Sequence, residues 1–93
     1  MPMKEGHRPT RKTIFKHLYK GVVNLSFIKN DGSIREMNAT LVSRAVPEEH
    51  RKHSLPNDPK EKDNILVWDV DQSGWRTFKM STMESYNGLV KEI

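Results

Sequence analysis

Apolar residues recur along this chain with two different periods, and the change of period marks its elements. From Thr10 to Lys20, Ile14, Phe15, Leu18 and Tyr19 fall on one side of a helical wheel, and Lys12, Lys16 and Lys20 on the other. Thr10 is a good N-cap and Gly21 a good stop, which predicts a helix over 10–20. The period then shortens to two. Val23, Leu25 and Phe27 alternate with Asn24, Ser26 and Ile28, and Met37, Ala39 and Leu41 alternate with Asn38 and Thr40. Asn30-Asp31-Gly32-Ser33 between them predicts a hairpin, with Met37, Ala39 and Leu41 facing inward. A second hairpin is expected from ILVWDV, the turn DQSG ended by Gly74, and WRTFKM. Val67 and Trp68 must point to opposite faces, so at least one tryptophan is expected on or near the surface. A helical turn at Ser81 and a closing edge strand, GLVKEI, complete the expected elements.

Two segments break the pattern. Residues 1–9 hold two prolines and a glycine, and read as a disordered arm. Residues 43–64 hold three prolines and twelve charged or histidine residues, with only Val46 and Leu55 large and apolar. They read as a mobile loop anchored by Leu55. The expected organisation is therefore one small domain over 10–93, mainly β with one N-terminal helix.

Composition narrows the function classes. The chain has 93 residues, 34% of them hydrophobic and 30% charged, and no cysteine. Disulfides and cysteine-based zinc sites are excluded. No apolar run approaches a membrane span, and the charged start MPMKEGHRPTRK is followed by no apolar core of a secretory signal. A cytoplasmic protein is the expectation. The net charge of +4 is unevenly spread. Lys4, Arg8, Arg11, Lys12, Lys16 and Lys20 face only Glu5 within residues 1–20, whereas the remainder is close to neutral. Such asymmetry suits nucleic acid or an acidic protein partner.

Catalytic chemistry finds little support in these residues. His7, His50 and His53 fall in the expected arm or loop, and His17 on the polar side of the expected helix. No serine sits in a nucleophile elbow, and there is no glycine-rich phosphate loop. His50 and His53 lack a third ligand, and Asp69 and Asp71 suit turn chemistry better than a cation. No enzyme activity, cofactor or metal is expected. Binding is expected through Arg8, Arg11, Lys12, Lys16, Lys20, Trp75, Arg76 and Lys79. The lysines would contact phosphates and a tryptophan would stack on bases, although Arg76 also has Asp69 and Asp71 within reach across the hairpin. The alternative is an adaptor or inhibitor that docks its basic helix on an acidic host protein. Pairing of copies through edge strands is a further expectation.

Two blocks, GVVNLSFIKNDGSIREMNATL and LVWDVDQSGWRTFKMSTM, carry a family resemblance. Together they resemble the WYL domain, a small Sm-like, SH3-like β-barrel, in a short free-standing phage version. Leu66-Val67-Trp68-Asp69 and Trp75-Arg76-Thr77-Phe78 match its most recognisable motif. Lys79 and Thr82 stand where the wider family carries arginines thought to line a ligand site, and Met83 replaces an isoleucine. The resemblance implies a strongly bent barrel of about five strands with a helix at its start, and, for a phage product, the host cytoplasm.

Overall fold

The computed structural model describes residues 8–51 and 62–93. Expectations for residues 1–7 and 52–61, Leu55 and His53 included, lie outside the described residues.

Thr10 caps helix α1 (Arg11–Leu18): its Oγ1 accepts the backbone N–H of Thr13 at 3.1 Å. Ile14 and Leu18 are fully buried, a gain of roughly 1.5–3 kcal/mol each. The helix is shorter than expected and its apolar side narrower. Tyr19, the C-cap, is 64% exposed and stacks on Phe15 instead of entering the core. A single α-turn pair suffices to close this end of the barrel, so the next apolar residue is left outside it.

Five strands follow: β1 (Gly21–Ile28), β2 (Ile34–Thr40), β3 (Asn64–Asp69), β4 (Gly74–Lys79) and β5 (Met83–Glu92). They form one antiparallel sheet in the order β4-β3-β2-β1-β5. Its concave face buries Val23, Leu25, Phe27, Met37, Ala39, Ile65, Val67, Phe78 and Met83 around the two helix residues. The period-two expectation for β1 and β2 therefore names the core face correctly. The first turn has Gly32 at φ 87°, and Asp31 Oδ1 accepts Ser33 N–H at 2.9 Å. In the second turn Ser73 is left-handed (φ 53°), and Gly74 opens β4.

β5 begins earlier than expected. A 3₁₀ turn over Met80–Thr82 leads directly into it, and it pairs with β1 over nearly its whole length. Three register slips interrupt that pairing, and Gly88 (φ 77°) lies among them. Such bulges bend a strand and raise its twist, which curls a five-stranded sheet toward closure. Gly21 is required where the two strands cross: a Cβ there would lie 2.0 Å from the Lys91 carbonyl oxygen.

The described ends of the excursion after β2 are more ordered than expected. Residues 43–45 form a 3₁₀ turn, Glu48–Arg51 form a short helix α2, and Asn64 already belongs to β3. Arg51 Nε donates to the Ser43 and Val46 carbonyls, each at 2.9 Å, and Val46 is 3% exposed. At the other end, Arg8 and Pro9, placed in the arm by composition, are half-buried.

Candidate anion-binding surface

Asp69 organises the second hairpin. Its Oδ1 accepts the backbone N–H groups of Asp71 (3.0 Å) and Gln72 (3.1 Å), which shapes the turn. Its Oδ2 accepts Arg76 Nε at 3.1 Å and lies 3.7 Å from Arg35 Nη2. The carboxylate is buried, so it needs these partners. Arg76 was expected at the binding surface. The structure joins it to Asp69, the cross-hairpin pairing that competes with that role.

The tryptophans sit on the opposite, outer face. Trp68 pairs with Trp75 across β3 and β4, their rings 5.5 Å apart and near-perpendicular. The His50 ring covers Trp68 at 5.2 Å, and Trp75 Nε1 donates to the His50 carbonyl at 2.9 Å. Trp68 is buried by this cover although it is not part of the main core. Trp75 thus holds α2 in place, and it is not the open stacking platform expected from its alternation. His50, expected in a solvated loop, is half-buried against this pair.

The basic residues divide into two groups. Arg11 ties the chain start to the start of β3, and Arg8 lies near Asp63 just before it. Arg11 Nη1 donates to the Asn64 carbonyl at 2.7 Å and its guanidinium lies over the Phe15 ring, 5.0 Å from its centroid. Burial opposes ionisation of Asp63, but hydrogen bonds from the Ser81 hydroxyl and backbone N–H, with Lys79 and Arg8 nearby, hold its carboxyl below the usual aspartate value. Lys12 and Lys16 on α1, and Lys20 in the turn after it, remain exposed. Among the described residues they form no ion pair. His17, expected among those polar positions, is instead half-buried: its Nδ1 is 2.7 Å from the Tyr86 hydroxyl and the rings stack. Burial pushes the Tyr86 hydroxyl up to about 12.

One groove, about 430 Å³, opens between the β1–β2 turn and the ends of β3 and β4. Phe27 and Phe78, stacked at 6.2 Å, line it from below. Lys29 and Lys79 contribute charge, and Asn30, Asn64, Thr77 and Thr82 contribute hydrogen-bonding groups. The one acid lining it, Asp31, is engaged by the Ser33 hydroxyl (2.6 Å) and N–H, and these bonds lower its pKa. Lys79 and Thr82 both border this groove. Lys29 and Arg35 were missed from sequence. The signal was the hairpin register, which sets Arg35 opposite Phe27. Among the described residues no group of three or more acidic or histidine side chains is placed to hold a metal ion.

Comparison with known proteins matches residues 11–83 to the family model WYL_2, described as an Sm-like SH3 beta-barrel fold. The chain belongs to the WYL_2 family. The match starts at the first residue of α1 and ends at the first residue of β5, so the helix belongs to the family's domain. This WYL_2 chain is also 34% identical over 83 residues to an uncharacterised 11.5 kDa protein of Enterobacteria phage T4. That similarity covers 88% of this chain and 81% of the phage protein. No solved structure matches significantly. Among the described residues no helix is long and apolar enough to cross a membrane. The family's VWD and WRTF blocks acquire a physical meaning here: Trp68 packs on Trp75, and Asp69 binds Arg76.

Proposed function

We propose that this phage-type WYL_2 domain is a non-enzymatic binding protein for single-stranded nucleic acid. The observation that carries the reading is the set of exposed lysines without ion pairs among the described residues: Lys12 and Lys16 on α1, Lys20 just beyond it, and Lys29 and Lys79 at one groove. Arg11 bonds Asn64, a groove residue, so the start of α1 adjoins the groove wall. From there Lys12 and Lys16 stand one turn apart on the helix, about 6 Å along its axis, and Lys20 follows in the turn beyond it. Unpaired ammonium groups in such a row suit successive phosphates, and a polar groove on an aromatic floor suits a nucleotide unit. Binding instead of catalysis fits the two described histidines, since His17 is held by Tyr86 and the His50 ring packs on Trp68.

The test is fluorescence anisotropy with a labelled single-stranded oligonucleotide across a salt series. Affinity should fall steeply with salt. Changing Lys12, Lys16 and Lys20 together to Gln should flatten the log–log slope by about 2, since each single-strand phosphate contact contributes roughly 0.7. No binding at about 20 mM salt would remove the proposal and leave an acidic protein partner as the better occupant of the lysine face.

A further inference from the structure

The barrel rim beside the groove carries two guanidiniums over one carboxylate. Arg35 lies directly across from Phe27, and Arg76 lies two residues before Phe78 on the same face of β4. Cross-strand neighbours share a face, so both arginines stand one side-chain position from the Phe27–Phe78 floor. Both contact the same oxygen, Asp69 Oδ2, because Oδ1 is committed to the turn. Only Arg76 makes a true hydrogen bond there; the Arg35 contact of 3.7 Å is a charge contact.

The charge on this face does not cancel. Asp69 neutralises one guanidinium of two. Asp71, next along the turn, directs Oδ2 to the Asn38 amide at 3.0 Å. Asn38 alternates with buried Met37 and Ala39, so that bond lies on the outer face, away from Arg35. Each guanidinium presents a planar fork of N–H donors. Among the described residues, those of Arg35 and the terminal donors of Arg76 make no hydrogen bond to the protein. The side chains are 25% and 36% exposed, enough to be reached from solvent and little enough to be held in place.

We propose that Arg35 and Arg76, backed by Asp69, form a seat for one phosphate group of a single-stranded nucleic acid at the mouth of the barrel. Asp69 fixes Arg76 through Nε, leaving its outer N–H edge directed at the ligand, and Arg35 supplies the second fork. The seat rests on the nucleic-acid reading for its source of phosphate, whereas its chemistry is tested separately.

Inorganic phosphate is the first probe, titrated at fixed ionic strength into ¹⁵N-labelled full-length chain while arginine Nε–Hε signals are followed by NMR. The Arg35 and Arg76 signals should move together and saturate, with Arg44 unmoved. Arg35→Gln, which leaves the Asp69–Arg76 bond in place, should weaken phosphate binding at least about tenfold. The second probe is the labelled oligonucleotide. Arg35→Gln should flatten its salt slope by about 0.7. Absence of a saturable response at the two arginines, or a response unchanged by Arg35→Gln, overturns the seat. An intact phosphate response with an unchanged oligonucleotide slope overturns its use by nucleic acid. Loss of oligonucleotide binding in the unmodified chain, with the phosphate response intact, overturns the nucleic-acid reading alone.

Discussion

Replacing Asp69 tests both the packing of the second hairpin and the origin of its rigidity. The carboxylate side chain is 2% exposed, so water cannot substitute for any partner it loses. In Asp69→Ala, two turn N–H groups lose their acceptor and two guanidiniums face each other without an anion between them. Removing one partner of a buried pair costs about 3–5 kcal/mol. The arginines are 25% and 36% exposed and regain some hydration, which places the expected loss near 3 kcal/mol, at the low end of that range. That is a large share of the roughly 5–15 kcal/mol that holds a small domain. Asp69→Asn separates the two roles. Its carbonyl can still accept from Asp71 and Gln72, while the charge for Arg76 is lost, so about 2 kcal/mol is expected. Urea unfolding followed by Trp68 and Trp75 fluorescence measures both, and at about 1 kcal/mol per molar the Ala midpoint should fall by about 3 M. Exposed Asp71→Asn is the control. A loss below about 1 kcal/mol for Asp69→Ala, or equal losses for Ala and Asn, would show that the carboxylate does not organise this turn.

Three further outcomes follow from particular contacts. Gly21→Ala forces a Cβ against the Lys91 carbonyl and should displace β5, lowering stability by about 1–3 kcal/mol and weakening amide protection from Leu89 to Glu92 in hydrogen exchange. Trp75→Phe keeps an aromatic ring but loses the donor to His50; about 1 kcal/mol should go, and limited proteolysis should cut first near α2. Tyr86 binds its proton more tightly folded (about 12) than unfolded (about 10). Its contribution is therefore complete below pH 10 and is lost as pH rises from 10 toward 12. Tyr86→Phe should lower stability at pH 8 and flatten the alkaline decline seen in urea midpoints between pH 9 and 12.

The alternation of Val23, Leu25 and Phe27 against Asn24 and Ser26 determines which face of β1 is buried, because one residue of slip would invert every side chain. The DG turn and the spacing of Ile14 and Leu18 are equally local, and all three were legible along the chain. Tyr19 and Trp75 were not. A helical wheel counts apolar positions but does not say how many the barrel end can accept, and Tyr19 falls beyond that limit. Trp75 reads as an outward residue until α2 folds back across it, a contact that joins positions 25 residues apart. The same limit hid the anion-binding candidates. Composition located the basic excess in the first fifth of the chain, yet Arg11 holds the chain start to β3 and Arg8 lies beside the Asp63 carboxylate. The rim cations Lys29, Arg35, Arg76 and Lys79 come from two strands and a turn. The sequence alone therefore determined a curved β domain with a cationic helix in front. Tertiary structure decided which cations stay available, because availability depends on the acceptors that distant strands bring alongside each one.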